Sequence, residues 1–389
     1  MAEEQLALHA SQKTSSSTTL TTVAFLGPVA TYTHQAALSY FGSSPTDKAR
    51  YTLVPSATIS SVFHTVRDSS ASYGVVPYEN STNGAVAATL DLLADNESSS
   101  EEAVSRDLIV VGEVYVPVHH CLLGRKQQHE QAQQPHQQSS SNSPPSSTPP
   151  STSTPYAHIK TLYSHPQAWG QCTHFLSQHL HHATRHDCTS TSRAAELAAE
   201  DQTGSSAAVS NFLAAEANGL DVLARNIVDD PEGNETRFLM LRRRRHRGGQ
   251  GVQRDEKQQQ QQQRPLSTAA TTTLLTFVPK RSSPPSRDMG IVPILSLLQQ
   301  QNSRAEITKF HSRPRSTTAS VTGTGRKPWE YVYLVELRRE GDRRRDDDND
   351  DDGFGDDQYL SRLLSPSGDL GKLVENVRCL GVWEDRLVS

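Results

Sequence analysis

Tyr73-Gly74-Val75-Val76-Pro77-Tyr78-Glu79-Asn80-Ser81-Thr82-Asn83-Gly84 reads as a strand running into a polar turn that opens a helix. The apolar run Tyr73 to Pro77 suits a buried strand, Ser81 and Thr82 suit the turn, and a helix is expected from about Gly84 to Leu93. The same unit recurs on either side. Thr22-Val23-Ala24-Phe25-Leu26 is a strand before a helix from Thr31 to Phe41, closed by Gly42. Thr161-Leu162-Tyr163 is a strand before a helix from Pro166, in which Trp169, Cys172, Leu176 and Leu180 share one face. Ser190-Thr191-Ser192 caps a helix over Arg193 to Asp201. Ala207-Ala208-Val209 precedes a helix from Asn211 to Asn218 with Gly219 as its C-cap. Ile109 to Val118 is β-rich and leads into Cys121-Leu122-Leu123. Alternating strands and helices predict α/β domains with mainly parallel sheets.

The rhythm changes at Thr271. A strand over Thr272 to Val278, a helix over Ile291 to Leu298, strands over Ala305 to Phe310 and Tyr331 to Leu337, a helix over Leu370 to Val377 and a strand over Cys379 to Trp383 follow in turn. This βαββαβ order is the ferredoxin-like arrangement.

At 389 residues the chain has room for two or three domains, and the 34% hydrophobic content is diluted by polar inserts. Residues 1–21 read as a disordered tail, 126–155 as a Gln/Ser/Pro/Thr insert, 243–270 as a linker with a glutamine tract, and 341–357 as an acidic insert. Such inserts in an enzyme-like chain point to a eukaryotic, fungal-type source. The boundaries predict one domain over 22–242 and a second over 271–389. A net charge of −5 supplies no basic field, so nucleic acid is not an expected partner, and the run Arg242 to Arg245 reads as solvated linker. The N-terminus carries no secretory pattern and no apolar run approaches the roughly 20 residues of a membrane span. Cys121, Cys172, Cys188 and Cys379 are scattered, without a CxxC pair, so a reduced, cytoplasmic protein is expected. Among His174, His179, His181, His182 and His186 only the last two have ligand spacing, with no Glu placed as in a zinc protease; no metal site is expected. A dinucleotide fingerprint is absent, since Gly323 and Gly325 are followed by Pro328 where a third Gly is needed.

The recurring Ser/Thr turns are either plain helix N-caps or the place where the chemistry sits. They fall at Thr31-Tyr32-Thr33, Ser81-Thr82, Ser164, Ser190-Thr191-Ser192 and Ser210. Helix N-termini hold unpaired N–H donors and partial positive charge, and several converging on one cleft suit a small dianion.

Four segments taken together resemble the prephenate dehydratase family. They are Gly27-Pro28-Val29-Ala30-Thr31-Tyr32-Thr33-His34-Gln35-Ala36-Ala37, Pro77 to Gly84, Ser164-His165-Pro166-Gln167-Ala168-Trp169-Gly170-Gln171-Cys172, and Asn234-Glu235-Thr236-Arg237-Phe238 entered through Asp229-Asp230-Pro231. The resemblance runs from about Val23 to Leu241 and resumes near Thr271 as an ACT-type regulatory domain. It implies a bilobal, periplasmic-binding-protein-like catalytic domain followed by the ferredoxin-like domain. The chain is expected to cross between lobes near Val114 to Leu123 and to return near Ile227 to Leu241, with Thr236 on the hinge side. It implies decarboxylating dehydration of prephenate to phenylpyruvate in phenylalanine biosynthesis, with no cofactor. Thr236, Glu79, Asn80 and Gln171 take catalytic places. Thr31, Ser81, Ser164, Arg237 and Phe238 take substrate-binding places, Ser164 also as the cap of the Pro166 helix. Arg237 either grips a carboxylate or sits in a structural ion pair. Gly290-Ile291-Val292 and His311-Ser312-Arg313-Pro314 occupy the effector motifs, implying feedback inhibition by L-phenylalanine in a homodimer or homotetramer. The chain departs from the family at Ala30 (usually Gly), Thr33 and Ala85 (usually Ser) and His311 (usually Glu). An arogenate dehydratase, with an amino group on the substrate in place of the keto oxygen, and a catalytically silent amino-acid sensor are the competing readings. A fused chorismate mutase domain is not expected, because only about 20 residues precede the first strand.

Overall fold

The computed structural model describes residues 20–42, 50–95, 105–126, 155–244, 270–280, 291–300, 305–315, 330–340, 365 and 368–385. Apart from their end residues the inserts and linker expected above, with Gly290 and the Gly323–Gly325 pair, lie outside these residues; Arg242 and Arg243, expected as solvated linker, instead pair as strand with Ile109 and Leu108.

Strands β1 (Thr21–Leu26), β2 (Tyr51–Ser56) and β3 (Tyr73–Asn80) pair in parallel, with helices α1 (Tyr32–Phe41) and α2 (Ile59–Arg67) in the connections. The short β4 (Gly84–Ala85) folds back on the end of β3, and α3 (Ala87–Ala94) follows. Strand β5 (Leu108–Pro117) then leads out of this lobe into β6 (Cys121–Gly124). The second lobe contains β7 (Thr161–Ser164), α4 (Pro166–Gln171), α5 (Thr173–His179), β8 (Thr184–Asp187), α6 (Thr191–Glu200), β9 (Ser206–Ser210), α7 (Phe212–Asn218) and β10 (Asp221–Ala224). The chain returns through β11 (Glu235–Arg243), which lies between β3 and β5 and is antiparallel to both. The sheet orders are β2-β1-β3-β11-β5 and β10-β6-β9-β7-β8. The expected mainly parallel sheets are therefore mixed. Each lobe contains strands that run to or from the crossing, and these pair without an intervening helix, which parallel neighbours would need. The two crossing segments are tied together by Val118 N–H to Asn234 O (2.8 Å) and Ile227 N–H to His120 O (2.8 Å).

The helix expected from Pro166 is broken at Cys172. The Thr173 and His174 amides donate to the Asp229 carboxylate at 2.8 and 2.9 Å, so a second helix N-terminus starts there. The apolar face survives the break: Cys172, Leu176 and Leu180 are fully buried, with Trp169 packed on the same cluster.

The last unit comprises β12 (Thr271–Pro279), α8 (Ile291–Gln300), β13 (Ala305–Pro314), β14 (Tyr331–Arg339), α9 (Asp369–Leu373) and β15 (Val374–Glu384). Its sheet, ordered β13-β14-β12-β15, is antiparallel throughout, as βαββαβ connectivity requires. The expected second helix is shorter than the 370–377 span, because Val374 and Glu375 pair with Pro279 and Val278 at the end of β12. One face of this sheet packs on α8 and α9 through Leu275, Phe277, Ile294, Leu298, Val335 and Leu337. The other face shares a core with the first lobe, where Leu274, Val332, Leu334 and Trp383 meet Val62, Phe63, Leu90 and Leu239. Gly381 marks the closest approach: a Cβ there would lie 2.1 Å from the Val110 carbonyl oxygen.

Charged groups cross the same border. Arg237 donates to Glu113 on β5 (Nε–Oε2 2.7 Å) and to Glu336 on β14 (Nη1–Oε2 2.8 Å), beside the rings of Tyr78 and Tyr115. Lys309 pairs with Glu79, and Arg313 with Asp91. Burial opposes the Arg237 charge, but Glu336 and Glu113 outweigh it and its pKa is raised. Removing one partner of a buried pair leaves uncompensated charge. Arg237→Met should therefore lower stability by about 3–5 kcal/mol, whereas loss of the half-exposed Lys309 charge in Lys309→Met should cost about 1 kcal/mol or less. Urea unfolding midpoints of the two variants check the contrast, and equal small losses would contradict it.

Candidate active site

A cleft of about 280 Å³ lies between the lobes beside the crossing segments. Thr31, Tyr32 and Thr33 at the start of α1, His165, Gln167 and Ala168 at the start of α4, and Thr189 to Thr191 at the start of α6 open into it, together with Asn80, His120, Gln171 and Thr236. Local capping explains the three helix starts. Thr31 Oγ1 accepts from the His34 amide (3.1 Å) and Ser190 Oγ from the Arg193 amide (3.0 Å). Ala30, just before the first cap, holds a left-handed φ of 64° where the resemblance expects Gly. Its strain, about 1–2 kcal/mol, is opposed by two hydrogen bonds: its N–H donates to His34 Nδ1 (3.0 Å), and its carbonyl accepts from Asn211 Nδ2 of the other lobe (2.7 Å). Among the described lining residues there is no Lys or Arg. The positive potential available to an anion therefore comes from helix N-termini and neutral donors.

Asn80 and Thr236 are register partners on β3 and β11. Asn80 Oδ1 accepts from the Thr82 and Asn83 amides (3.1 and 2.8 Å), which fixes the orientation of its side-chain amide. Its Nδ2 then donates to Thr236 Oγ1 (2.9 Å), with Asn234 Oδ1 and Glu235 O as further acceptors at 3.0 Å. A hydroxyl that accepts from Asn80 keeps its own proton free to donate. Across the cleft, His120 lies between Tyr32 OH (3.1 Å to Nδ1) and Gln171 Oε1 (2.8 Å to Nε2). It is almost wholly buried, and burial pushes its pKa down to about 4 from an ordinary 6.5, so the ring is neutral at pH 7. The cleft thus offers hydroxyl, amide and helix N-terminal donors to an acceptor-rich ligand, with one hydroxyl donor, Thr236, held by a neighbouring strand.

The structure brings together Thr31, Asn80, Gln171 and Thr236 in the cleft, with Phe238 buried beneath it beside Phe25, Ala36 and Ala37. Four expected site residues point elsewhere. Glu79 and Arg237 are also register partners, but side chains alternate along a strand, so both face the last unit while Asn80 and Thr236 face the cleft. Arg237 is the structural ion pair rather than a carboxylate grip. Ser164 is fully buried and donates to Val209 O (2.7 Å), fastening β7 to β9; the cap of α4 is His165, whose Nδ1 accepts from the Gln167 amide (3.3 Å). Ser81 is exposed and accepts from the Glu235 amide (2.9 Å), fixing the start of β11. The expected effector residues do not gather on one face. Ser312 follows the helix side of β13, whereas His311 packs on Tyr78 of the first lobe and Arg313 on Asp91. Ile291 and exposed Val292 begin α8, and Pro314 ends β13. Sequence reading missed His120. The available signal is a polar pair, His119-His120, at the end of the apolar strand run Ile109 to Val118.

Two α/β lobes that enclose a cleft of helix N-termini and neutral donors define the class, a bilobal α/β protein whose cleft is suited to a small anion. The comparisons narrow this class. The prephenate dehydratase family model matches residues 23–246, more than half of the 389 residues, and the chain belongs to that family. It is 31% identical over 323 residues to the bifunctional chorismate mutase/prephenate dehydratase of Neisseria gonorrhoeae, covering 83% of this chain and 67% of that one. It is 32% identical over 240 residues to the probable prephenate dehydratase of Saccharomyces cerevisiae, covering 57% of this chain and 65% of that one. The solved structure of prephenate dehydratase from Arthrobacter aurescens in complex with L-Phe superposes with a TM-score of 0.59 at 25% identity, over 94% of this chain and 90% of that one. The chain spans from about half to two thirds of the length of curated relatives of this kind.

The buried His120 makes stability pH-dependent. The unfolded chain takes up its proton below about 6.5, while the folded chain resists it down to about 4. Its contribution is therefore complete above pH 6.5 and is lost as the pH falls toward 4, by about 3 kcal/mol in all. Urea midpoints at pH 7 and pH 4.5 should fall more steeply for the wild type than for His120→Gln; parallel declines would contradict this assignment.

Proposed function

We propose that this chain converts prephenate to phenylpyruvate, with Thr236 as the hydrogen-bond donor to the departing hydroxyl. The observation that carries the reading is the bond from Asn80 Nδ2 to Thr236 Oγ1, which leaves the threonine proton directed away from Asn80. In the reaction the ring carboxylate leaves as CO2, and the electron pair of the broken C–C bond moves into the ring. The C–O bond opposite breaks, and the leaving hydroxide takes a proton to become water. Aromatisation supplies the driving force and there is no net redox change. A threonine hydroxyl is too weak an acid to be the net proton source, so Thr236 donates a hydrogen bond and relays a proton from solvent. The helix starts at Thr31, His165 and Ser190 receive the carboxylates, and Gln171 orients the substrate.

The ACT reading of residues 271–389, regulation by L-phenylalanine, assembly as a homodimer or homotetramer and a cytoplasmic setting belong to the same proposal. Their support is the βαββαβ sheet docked on the first lobe and the likeness to a structure solved with L-Phe. Among the described residues no helix is long and apolar enough to cross a membrane.

Purified protein should release phenylpyruvate from prephenate faster than the corresponding product from arogenate. Thr236→Ala should lower kcat by about 10²–10³-fold, and Thr236→Ser should keep most of it. No turnover of either substrate by folded protein would leave a binding protein, and preference for arogenate would make it an arogenate dehydratase. L-phenylalanine should inhibit the turnover, and indifference to it would remove the regulatory part of the proposal.

A further inference from the structure

The chemistry proposed above uses Gln171 but leaves His120 and Tyr32 without a part. Tyr32 begins α1 in the first lobe, His120 lies on the crossing segment between β5 and β6, and Gln171 ends α4 in the second lobe. A single line of hydrogen bonds therefore runs from lobe to lobe through the crossing. The ring of Tyr32 also meets that of His120 edge-on, with centroids 5.7 Å apart. Both ends of the line are held. Tyr32 is fixed by the capped start of α1, and the Gln171 backbone carbonyl accepts from the Asp229 amide (2.7 Å).

The direction of this line follows from which groups can donate. Burial raises the Tyr32 pKa well above its ordinary value, so the phenol keeps its proton. Gln171 Oε1 can only accept, so the neutral His120 ring carries its proton on Nε2, and its bare Nδ1 accepts from the Tyr32 hydroxyl. Nε2–H then donates to Gln171 Oε1. With its oxygen engaged, the Gln171 amide has both N–H donors left for the cleft that the residue lines.

We propose that His120 is a positioning residue, anchored from the first lobe, that holds the side-chain N–H donors of Gln171 toward an acceptor on the bound substrate. The inference rests on the proposed function for the identity of that substrate, a carboxylate-bearing acceptor. It makes the donor supplied by one lobe depend on a tyrosine in the other, so separating the lobes releases the amide.

Two measurements test it. In protein carrying 15N-histidine, two-bond 15N–1H couplings assign the tautomer of His120 without substrate, and the Nε2–H form is expected at pH 7. Kinetics on prephenate then test the consequence. Tyr32→Phe keeps the ring and removes the donor, and kcat should fall about 10-fold with little change in KM. His120→Leu should cost about 10²-fold in kcat, and His120→Gln, whose amide can donate to Gln171, should recover most of it. An Nδ1–H tautomer in the wild type overturns the proposal. So do unchanged kinetics in Tyr32→Phe, or a His120→Gln variant no better than a folded His120→Leu. The tautomer is read in the free protein, so it is decided even if prephenate is not turned over, a result that would instead sink the proposed function.

Discussion

The two-residue period of strand β11 is the constraint on which the rest of the molecule depends. Thr236 and Arg237 are chain neighbours, so they must face opposite sides of the sheet. One side is the cleft between the lobes, and the other is the border with the last unit. The partner strand repeats the division, with Asn80 opposite Thr236 and Glu79 opposite Arg237. A slip of one residue would exchange the two faces, putting a guanidinium into the cleft and a threonine between Glu113 and Glu336. The buried ion triad need not add net stability, because desolvation of the three charges offsets most of their attraction. Its effect is to make the wrong register far more costly than the right one.

A cleft whose described lining holds no Lys or Arg suits the proposed decarboxylation. A guanidinium locked onto the departing carboxylate would stabilise the ground state, which still carries that charge, more than the transition state, which is losing it. Helix N-termini and neutral amides hold an anion more weakly and spread the interaction over several donors. Arg237 is thereby more useful outside the cleft than inside it. It fixes the strand that bears Thr236, the proposed donor, whose hydroxyl accepts from Asn80.

Residues whose roles are set by short-range rules were legible in the sequence. Thr31 and Ser190 cap helices as Ser/Thr turns predict, Gly219 closes α7 in the left-handed region, and the buried face of Cys172, Leu176 and Leu180 follows from helical spacing. Roles decided by distant chain were not. The helix break at Cys172 depends on Asp229, far along the chain, and Ser164 was lost from the cleft to the carbonyl of Val209 on the neighbouring strand. The mixed sheets follow from strands that enter and leave each lobe at the crossing, and local alternation of strand and helix carries no sign of that. Glu79 and Arg237 illustrate a different limit. Motif reading treats neighbouring residues as one site, whereas the pleat of a strand divides them between two.

That division also bears on how the proposed regulation could reach the chemistry. Lys309, His311 and Arg313 lie on the face of β13 that meets the first lobe, against Glu79, Tyr78 and Asp91. Glu79 and Tyr78 belong to the strand that carries Asn80, and Glu336 binds the residue next to Thr236. A displacement of the last sheet therefore acts on both strands that hold the Asn80–Thr236 bond, without any movement of the cleft lining itself. Buried charges favour discrete docked positions over gradual sliding, since intermediate positions leave Arg237 or Glu336 unpaired. His311, where the family usually carries Glu, belongs to this contact: its ring packs against Tyr78, and burial lowers its pKa. The charges around it are mixed, with Glu79 and Glu336 opposed by Lys309 and Arg237, and burial is the largest cause of the lowered pKa.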